Sequence, residues 1–389
     1  MSAAPRDSST SHAVAAGVVT ALVGFTSSFA VVLTGLRAVG ADQAQAASGL
    51  AVVSVTMGLG CIVLSLVHRT PVTVAWSTPG AALLAGAAVP AAGWAGAVGA
   101  FVVAGLLYLL TAAVKPLGEW VARIPKAIAS AMLAGVLLTL CVEPFRALAS
   151  DPRAIAPVLV TWLVLLRLAR RWAVPGALLV AGVVIAVAGE PLGDGSLLPA
   201  LTWTMPDFDW RTTIALGLSL YLVTMTGQNI PGVAVLESFG YRAPLRSALT
   251  WAGASTVLTG PAGGFSINLA AISAALAAGP EAGDDRDRRW VAGVTCGVVY
   301  VLLAPLSVLV TTISAAAPDG IIASVAGVAL IGTFASSASA ALSDTDHREA
   351  GAITFLVAAS GLSFAGISPA FWALVAGGVV LITLRLRVR

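Results

Sequence analysis

From Thr70 to Val114 the chain runs 45 residues without an Asp, Glu, Lys or Arg, and the middle of that run reads VAWSTPGAALLAG. A stretch this apolar enters a bilayer, where every backbone N–H and C=O must find its partner within the protein. The Ser77-Thr78-Pro79-Gly80 cluster is therefore a break in a membrane-embedded segment, and protein or a polar cavity must cover it. The run is typical of the chain. Hydrophobic residues make up 58% of the 389, charged residues only 10%, and the mean hydropathy is +0.95, the balance of a polytopic membrane protein.

Taking roughly 20 apolar residues per spanning helix, and fewer where a segment is broken, divides the chain into fourteen spans. They cover 13–36, 46–67, 72–89, 91–113, 125–142, 155–169, 173–189, 212–236, 244–260, 262–279, 290–315, 319–341, 348–366 and 369–385. The first twelve residues form a short polar tail. The stretch after them is too long for a signal-peptide core and lacks an obvious cleavage site, so it reads as the first membrane helix. Cys61, Cys141 and Cys296 lie apart in apolar segments without CxxC spacing, as small buried hydrophobes do. Alternating sides from an inside N-terminus leaves only Arg37, Arg146, Arg153 and Arg211 of the 21 Lys and Arg outside. That bias predicts two cytoplasmic termini and accounts for the basic pI without any nucleic-acid partner.

The spans repeat. TSSFAVVLTGLRAVG from Thr26 aligns with TGQNIPGVAVLESFG from Thr226, IPKAIASAMLAGVLL from Ile124 echoes PDGIIASVAGVALIG from Pro318, and PVTVAWSTPGAALLAG from Pro71 matches PAGGFSINLAAISAAL from Pro261 in kind. Seven spans followed by seven more place the second copy in the opposite orientation, so the fold class is an all-α integral membrane protein built from two inverted seven-helix repeats.

In the third span, β-branched Val72 to Trp76 reads as a short extended piece. Ser77 or Thr78 supplies an N-cap oxygen, and Pro79 occupies the first turn of a half-helix. The tenth span repeats the pattern, with Phe265 to Ile267 extended and Asn268 as the cap. Two such half-helices with facing N-termini gather partial positive charge and free N–H groups, a setting for an anion.

The segments AWSTPGAALL, GQNIPGVAVL and FSINLAAISAAL, in spans three, eight and ten, resemble those of the benzoate/proton symporter family BenE over nearly the whole chain. More distantly the chain is similar to the nucleobase/ascorbate and sulfate transporters. The resemblance implies an inner-membrane, proton-coupled symporter importing an aromatic carboxylate. A core domain (13–113 and 212–315) would move against a gate domain (114–211 and 316–389) that forms a homodimer, and neither cofactor nor metal is implied. Carried onto this sequence, backbone N–H groups near Gly80, Ala81, Leu269 and Ala270 receive the carboxylate, assisted by Ser77, Thr78, Ser266 and Asn268. Phe29, Trp76 and Phe265 line a slot for the ring. Gln228 and Asn229, the most polar adjacent pair in any span, lie beside the site, and Gln228 falls level with Ser28 in the repeat alignment.

Coupling departs from the pattern of the nucleobase carriers, whose spans eight and ten hold buried Glu or His. Here the corresponding positions offer Thr224, Gln228, Ser266 and Asn268, none of which titrates near neutral pH. The proton either rides on the substrate carboxyl or passes through Glu237, one turn beyond the bend expected at Pro231, or through another acid at a span edge. Glu143, Asp344 and Asp346 read as solvated loop charges. An uncoupled or exchanging anion transporter, or a channel, is the alternative. The chain offers no Ser/His/Asp or metal-ligand cluster for an enzyme and no GxxxxGK[ST] loop for ATP.

Overall fold

The computed structural model describes residues 6–189, 199–271, 273–362 and 369–387. Residues 1–5 of the expected tail, 190–198, and 363–366 of the expected thirteenth span lie outside it. The first half runs through α1 (Arg6–Thr26), α2 (Phe29–Ala38), α3 (Gln43–His68), β1 (Val74–Trp76), α4 (Thr78–Ala85), α5 (Gly93–Ala113), α6 (Lys115–Ala122), α7 (Lys126–Ser150), α8 (Pro152–Leu168) and α9 (Ala173–Ala188). The second half opens with a continuous helical stretch made of α10 (Trp210–Thr212), a π-helical turn, α11 (Ser219–Thr224), a second π turn and α12 (Ile230–Ser238). After it come α13 (Leu245–Thr259), β2 (Ile267–Leu269), α14 (Ala274–Ala278), α15 (Trp290–Leu303), α16 (Ser307–Ala315), α17 (Ile321–Ser343), α18 (Arg348–Ala359) and α19 (Pro369–Arg387).

The protein is thus predominantly helical, and seven helical stretches among the described residues are long and apolar enough to cross a membrane. Local sequence sets their ends. Asp42 and Gln45 close a reciprocal capping box at the start of α3, and Asp151 caps α8 by accepting from the N–H groups of Arg153 and Ala154. Small residues let helices cross closely, as membrane packing requires: a Cβ on Gly58 of α3 would lie 2.7 Å from the Gly297 carbonyl of α15.

The two strands are the feature that organises the rest. They pair antiparallel in the register Val74 to Leu269, Ala75 to Asn268 and Trp76 to Ile267. Ser77 N–H to Ser266 O (2.9 Å) and Ala270 N–H to Thr73 O (2.9 Å) extend the ribbon at each end. Extended backbone from one half of the chain thereby satisfies extended backbone from the other, which is what such backbone needs inside a membrane.

Candidate functional site

The first crossover follows the sequence closely. After β1, Ser77 caps α4: its Oγ accepts the Gly80 N–H at 3.0 Å, Pro79 sits in the first turn, and Ser77 Oγ shares a 2.6 Å hydrogen bond with Thr224 Oγ1 of α11. Gly80 serves close approach, since a Cβ there would lie 2.5 Å from Leu220 Cδ1 and 2.7 Å from Ser77 Oγ.

The second crossover corrects the expectation. Asn268 caps no helix; it is the middle residue of β2, opposite Ala75, with its Nδ2 donating to Leu269 O at 2.7 Å. The half-helix begins only at Ala274 and runs five residues, because pairing with β1 keeps the chain extended through the position expected to start it. Its far end is held by Arg289, which is 7% exposed and donates from Nε to Gly283 O and from Nη1 to Ala278 O, both at 2.7 Å. A charge counted in the sequence as an orientation signal is here a buried cap.

The four backbone N–H groups expected to face a carboxylate are also committed elsewhere. Gly80 donates to Ser77 Oγ, Ala81 to Ser77 O, Leu269 to Asn229 Oδ1 (3.0 Å) and Ala270 to Thr73 O. Helix and sheet consumed them first. In the first turn of α4, Ser77 donates to Ser266 O and Pro79 has no N–H, so Thr78 is left as the donor without an intrahelical acceptor.

Two further helices break beside these crossovers. α1 and α2 are separated by Ser27 and Ser28, whose hydroxyls donate to Gly24 O, and Trp76 Nε1 donates to Ser28 Oγ at 2.8 Å. Residues Met225–Asn229 form a π turn immediately before Pro231, whose missing N–H leaves the regular ladder incomplete. In the alignment of the two halves these breaks coincide, Thr26-Ser27-Ser28 lying on Thr226-Gly227-Gln228. The π turn aims both amides at the second crossover: Asn229 at Leu269 N–H, and Gln228 Oε1 at Ala271 N–H (3.3 Å). With its oxygen engaged, Gln228 presents its Nε2 hydrogens as donors.

Between these breaks and helices α7 and α17 lies a cavity with an open mouth. Of the residues expected at the site, Ser28, Trp76, Thr78 and Gln228 line it, as does Ala270. Ser77, Gly80, Ala81, Asn229, Ser266, Asn268 and Leu269 stand behind that wall and hold it in shape; Ser266, for one, accepts from Tyr108 OH at 2.9 Å. The other two aromatics pack inside: Phe29 stacks on Phe25 at 6.0 Å, and Phe265 lies 6.3 Å from Phe101. Sequence reasoning missed the opposite wall, Leu137 of α7 with Ala329, Leu330 and Thr333 of α17, and also Ser27 and Tyr300. A signal for the wall existed: with the shared IAS of the two segments superposed, Leu137 is equivalent to Ile331, next to Leu330.

None of the described residues lining the cavity is charged. Glu237 is exposed at the end of α12 and is not among them. Glu143 pairs with Arg146 at 2.8 Å, and Asp344 with His347 Nδ1 at 2.7 Å. The hydrogen bond from His347 holds the Asp344 carboxyl below its usual range, so it stays ionised at neutral pH.

A family model described as BenE, benzoate membrane transport protein, matches residues 7–383. The chain belongs to this family. Among curated proteins it is similar to the inner membrane protein YdcO of Escherichia coli (strain K12), 35% identical over 378 residues and 95% of each chain. It is also similar to the benzoate membrane transport protein of Acinetobacter baylyi, 31% identical over 327 residues, 84% of this chain and 83% of that one. Its fold is that of the transmembrane domain of the cyanobacterial bicarbonate transporter BicA, with TM-score 0.61 and 16% identity over 95% of this chain and 97% of that one. SLC26A9 matches at TM-score 0.65 and 13% identity, over 95% of this chain and 65% of that one. For a member of the BenE family, a membrane transport protein, the cavity between the paired crossovers and α7–α17 is the candidate substrate site.

Proposed function

We propose that this protein imports a benzoate-like aromatic carboxylate by proton symport. The observation that carries the reading is the chemistry of the cavity's two walls. Gln228 Nε2 and Thr78 N–H are donors on one side, suited to a carboxylate, and Leu137 and Leu330 form an apolar surface opposite, suited to a ring. The partial positive charge at the start of α4 favours an anion beside Thr78. Ser28 and Trp76, bonded to each other, flank the ring, and Phe29, Ser77, Gly80, Ala81, Asn229, Phe265, Ser266, Asn268 and Leu269 support the site from behind. The name of the Acinetobacter relative supports benzoate in particular.

The chain crosses the inner membrane fourteen times in two inverted repeats, with both termini cytoplasmic. Coincident breaks at Ser28 and Gln228 and the uneven placing of Lys and Arg support this topology. Residues 13–113 and 212–315 form the core, which moves as an elevator against a gate of 114–211 and 316–389 that also pairs two copies into a dimer. The position of the cavity, walled by both, supports the motion. Since no charged side chain among the described residues lines the cavity, the transported proton rides on the substrate carboxyl, with Glu237 as the alternative carrier.

The same lack of a charged side chain among the described lining residues favours a second reading, uncoupled or exchanging transport of small anions. Uptake of labelled benzoate into proteoliposomes, with and without an inward proton gradient, separates them. Gradient-driven accumulation supports symport. Uptake indifferent to pH supports the second reading, and uptake of nucleobases or sulfate in place of benzoate overturns the substrate.

A further inference from the structure

Between residue 199 and α10 the chain forms neither helix nor strand and is fastened across one end of the helices. Its backbone is fastened there at three points: Thr202 N–H donates to Ser48 Oγ (3.1 Å), Thr204 N–H to Pro261 O (2.8 Å) and Asp207 N–H to Ala95 O (2.9 Å). Ser48 belongs to the first turns of α3, Ala95 to the start of α5, and Pro261 to the short 3-10 turn Gly260–Ala262 that follows α13. Gly99 of α5 is required for the fit, because a Cβ there would collide with the Asp207 carbonyl.

Extended chain sends alternate side chains to opposite faces. Leu201, Trp203 and Met205 are 68%, 67% and 73% exposed, while the alternating Thr202, Thr204 and Pro206 are partly covered, the period of an extended chain. The apolar side chains thus point away from the protein, the reverse of what water would favour. Leu258, on the last turn of α13 three residues before Pro261, is also 72% exposed. Towards α10 the character changes. Asp209 caps that helix through the Thr212 N–H, and the Arg211 guanidinium lies 5.5 Å from the exposed Trp210 ring.

We infer that this strap is a lipid-binding surface, with Leu201, Trp203 and Met205 seated at the boundary between acyl chains and headgroups of the bilayer. Three features select lipid over a second protein chain. The strap is fastened to helix ends, its outward side chains are apolar in a chain built to span a membrane, and it presents tryptophan, whose ring suits that boundary. Because the strap is bonded to α3, α5 and the end of α13, lipid bound there holds the body that carries the β1–β2 ribbon at a fixed height in the membrane.

Single cysteines at 201 to 205 (Leu201→Cys, Thr202→Cys, Trp203→Cys, Thr204→Cys and Met205→Cys) test this in the full chain reconstituted into phosphatidylcholine vesicles. Each is labelled with a nitroxide, with the labelled wild type as blank because Cys61, Cys141 and Cys296 are buried. The expected result is a two-residue period in which labels at 201, 203 and 205 collide more often with oxygen than with a water-soluble nickel chelate, while those at 202 and 204 are shielded from both. Preference for nickel at 201, 203 and 205 places the strap in water, and shielding from both reagents there places it under another protein surface; either overturns the inference. The measurement uses no substrate, so its outcome is independent of the transport reading, and five positions keep it decisive if one variant does not fold.

Discussion

Asn229 Oδ1 accepts the backbone N–H of Leu269 at 3.0 Å, joining the π turn of one broken helix to the last residue of β2. Asn229 is fully buried, and its neighbour Gln228 makes the corresponding bond to Ala271 N–H while facing the cavity. Adjacent amides therefore do different work, one bracing and one free to donate.

Asn229→Ala leaves the Leu269 N–H buried without an acceptor. The expected cost is about 1–3 kcal/mol of stability. A lowered melting temperature of the detergent-solubilised protein, with and without benzoate, checks it; an unchanged melting temperature contradicts the bracing role.

Gln228→Ala removes the side-chain donor from the cavity wall. A hydrogen bond to a charged group contributes about 1.5–3 kcal/mol, so benzoate affinity should fall about 10- to 100-fold. Gln228→Glu should weaken it further, by placing a second carboxylate against the first. Titration calorimetry on variants that melt like the wild type reads both, and undiminished affinity in Gln228→Ala would remove this residue from the site.

Arg289→Gln strips the cap from α14 and the bond to Gly283 O. Transport should drop together with melting temperature. Arg289→Lys should not restore either, because an ammonium cannot reproduce the planar fork that reaches both carbonyls. Full rescue by lysine would show that only the charge matters.

Proton uptake on adding benzoate to the solubilised protein should be the same in the wild type and in Glu237→Gln, since Glu237 is exposed and away from the cavity lining. A pH-sensitive dye in weak buffer reads the uptake. Its loss in the variant would assign the proton to Glu237 and sink the substrate-borne route.

How far the sequence could be read differs between the two crossovers, for a physical reason. Ser77 and Pro79 have strong local preferences, a cap oxygen and a ring that suits the first turn, so the start of α4 was legible within a residue. Asn268 has a cap's chemistry too, but strand pairing with Ala75 overrides it, and pairing is a long-range fact that no local pattern near Asn268 encodes. The same holds for the committed N–H groups of Leu269 and Ala270, whose acceptors Asn229 and Thr73 come from distant parts of the chain. Leu137 and Leu330 were hidden differently: in a chain so apolar, a cavity wall and a packing contact share one composition.

The ribbon between β1 and β2 also bears on motion. To part the strands, the protein would break the ribbon's hydrogen bonds and leave buried backbone groups without partners, at a cost of about 1–3 kcal/mol for each group. Any change of orientation that exposes the cavity first to one side and then to the other must carry the paired strands as a single rigid piece. In the proposed elevator movement, the shape that receives the substrate on arrival is then the shape that releases it, and the difference between the two sides is made at the opposing faces of α7 and α17, which line the cavity.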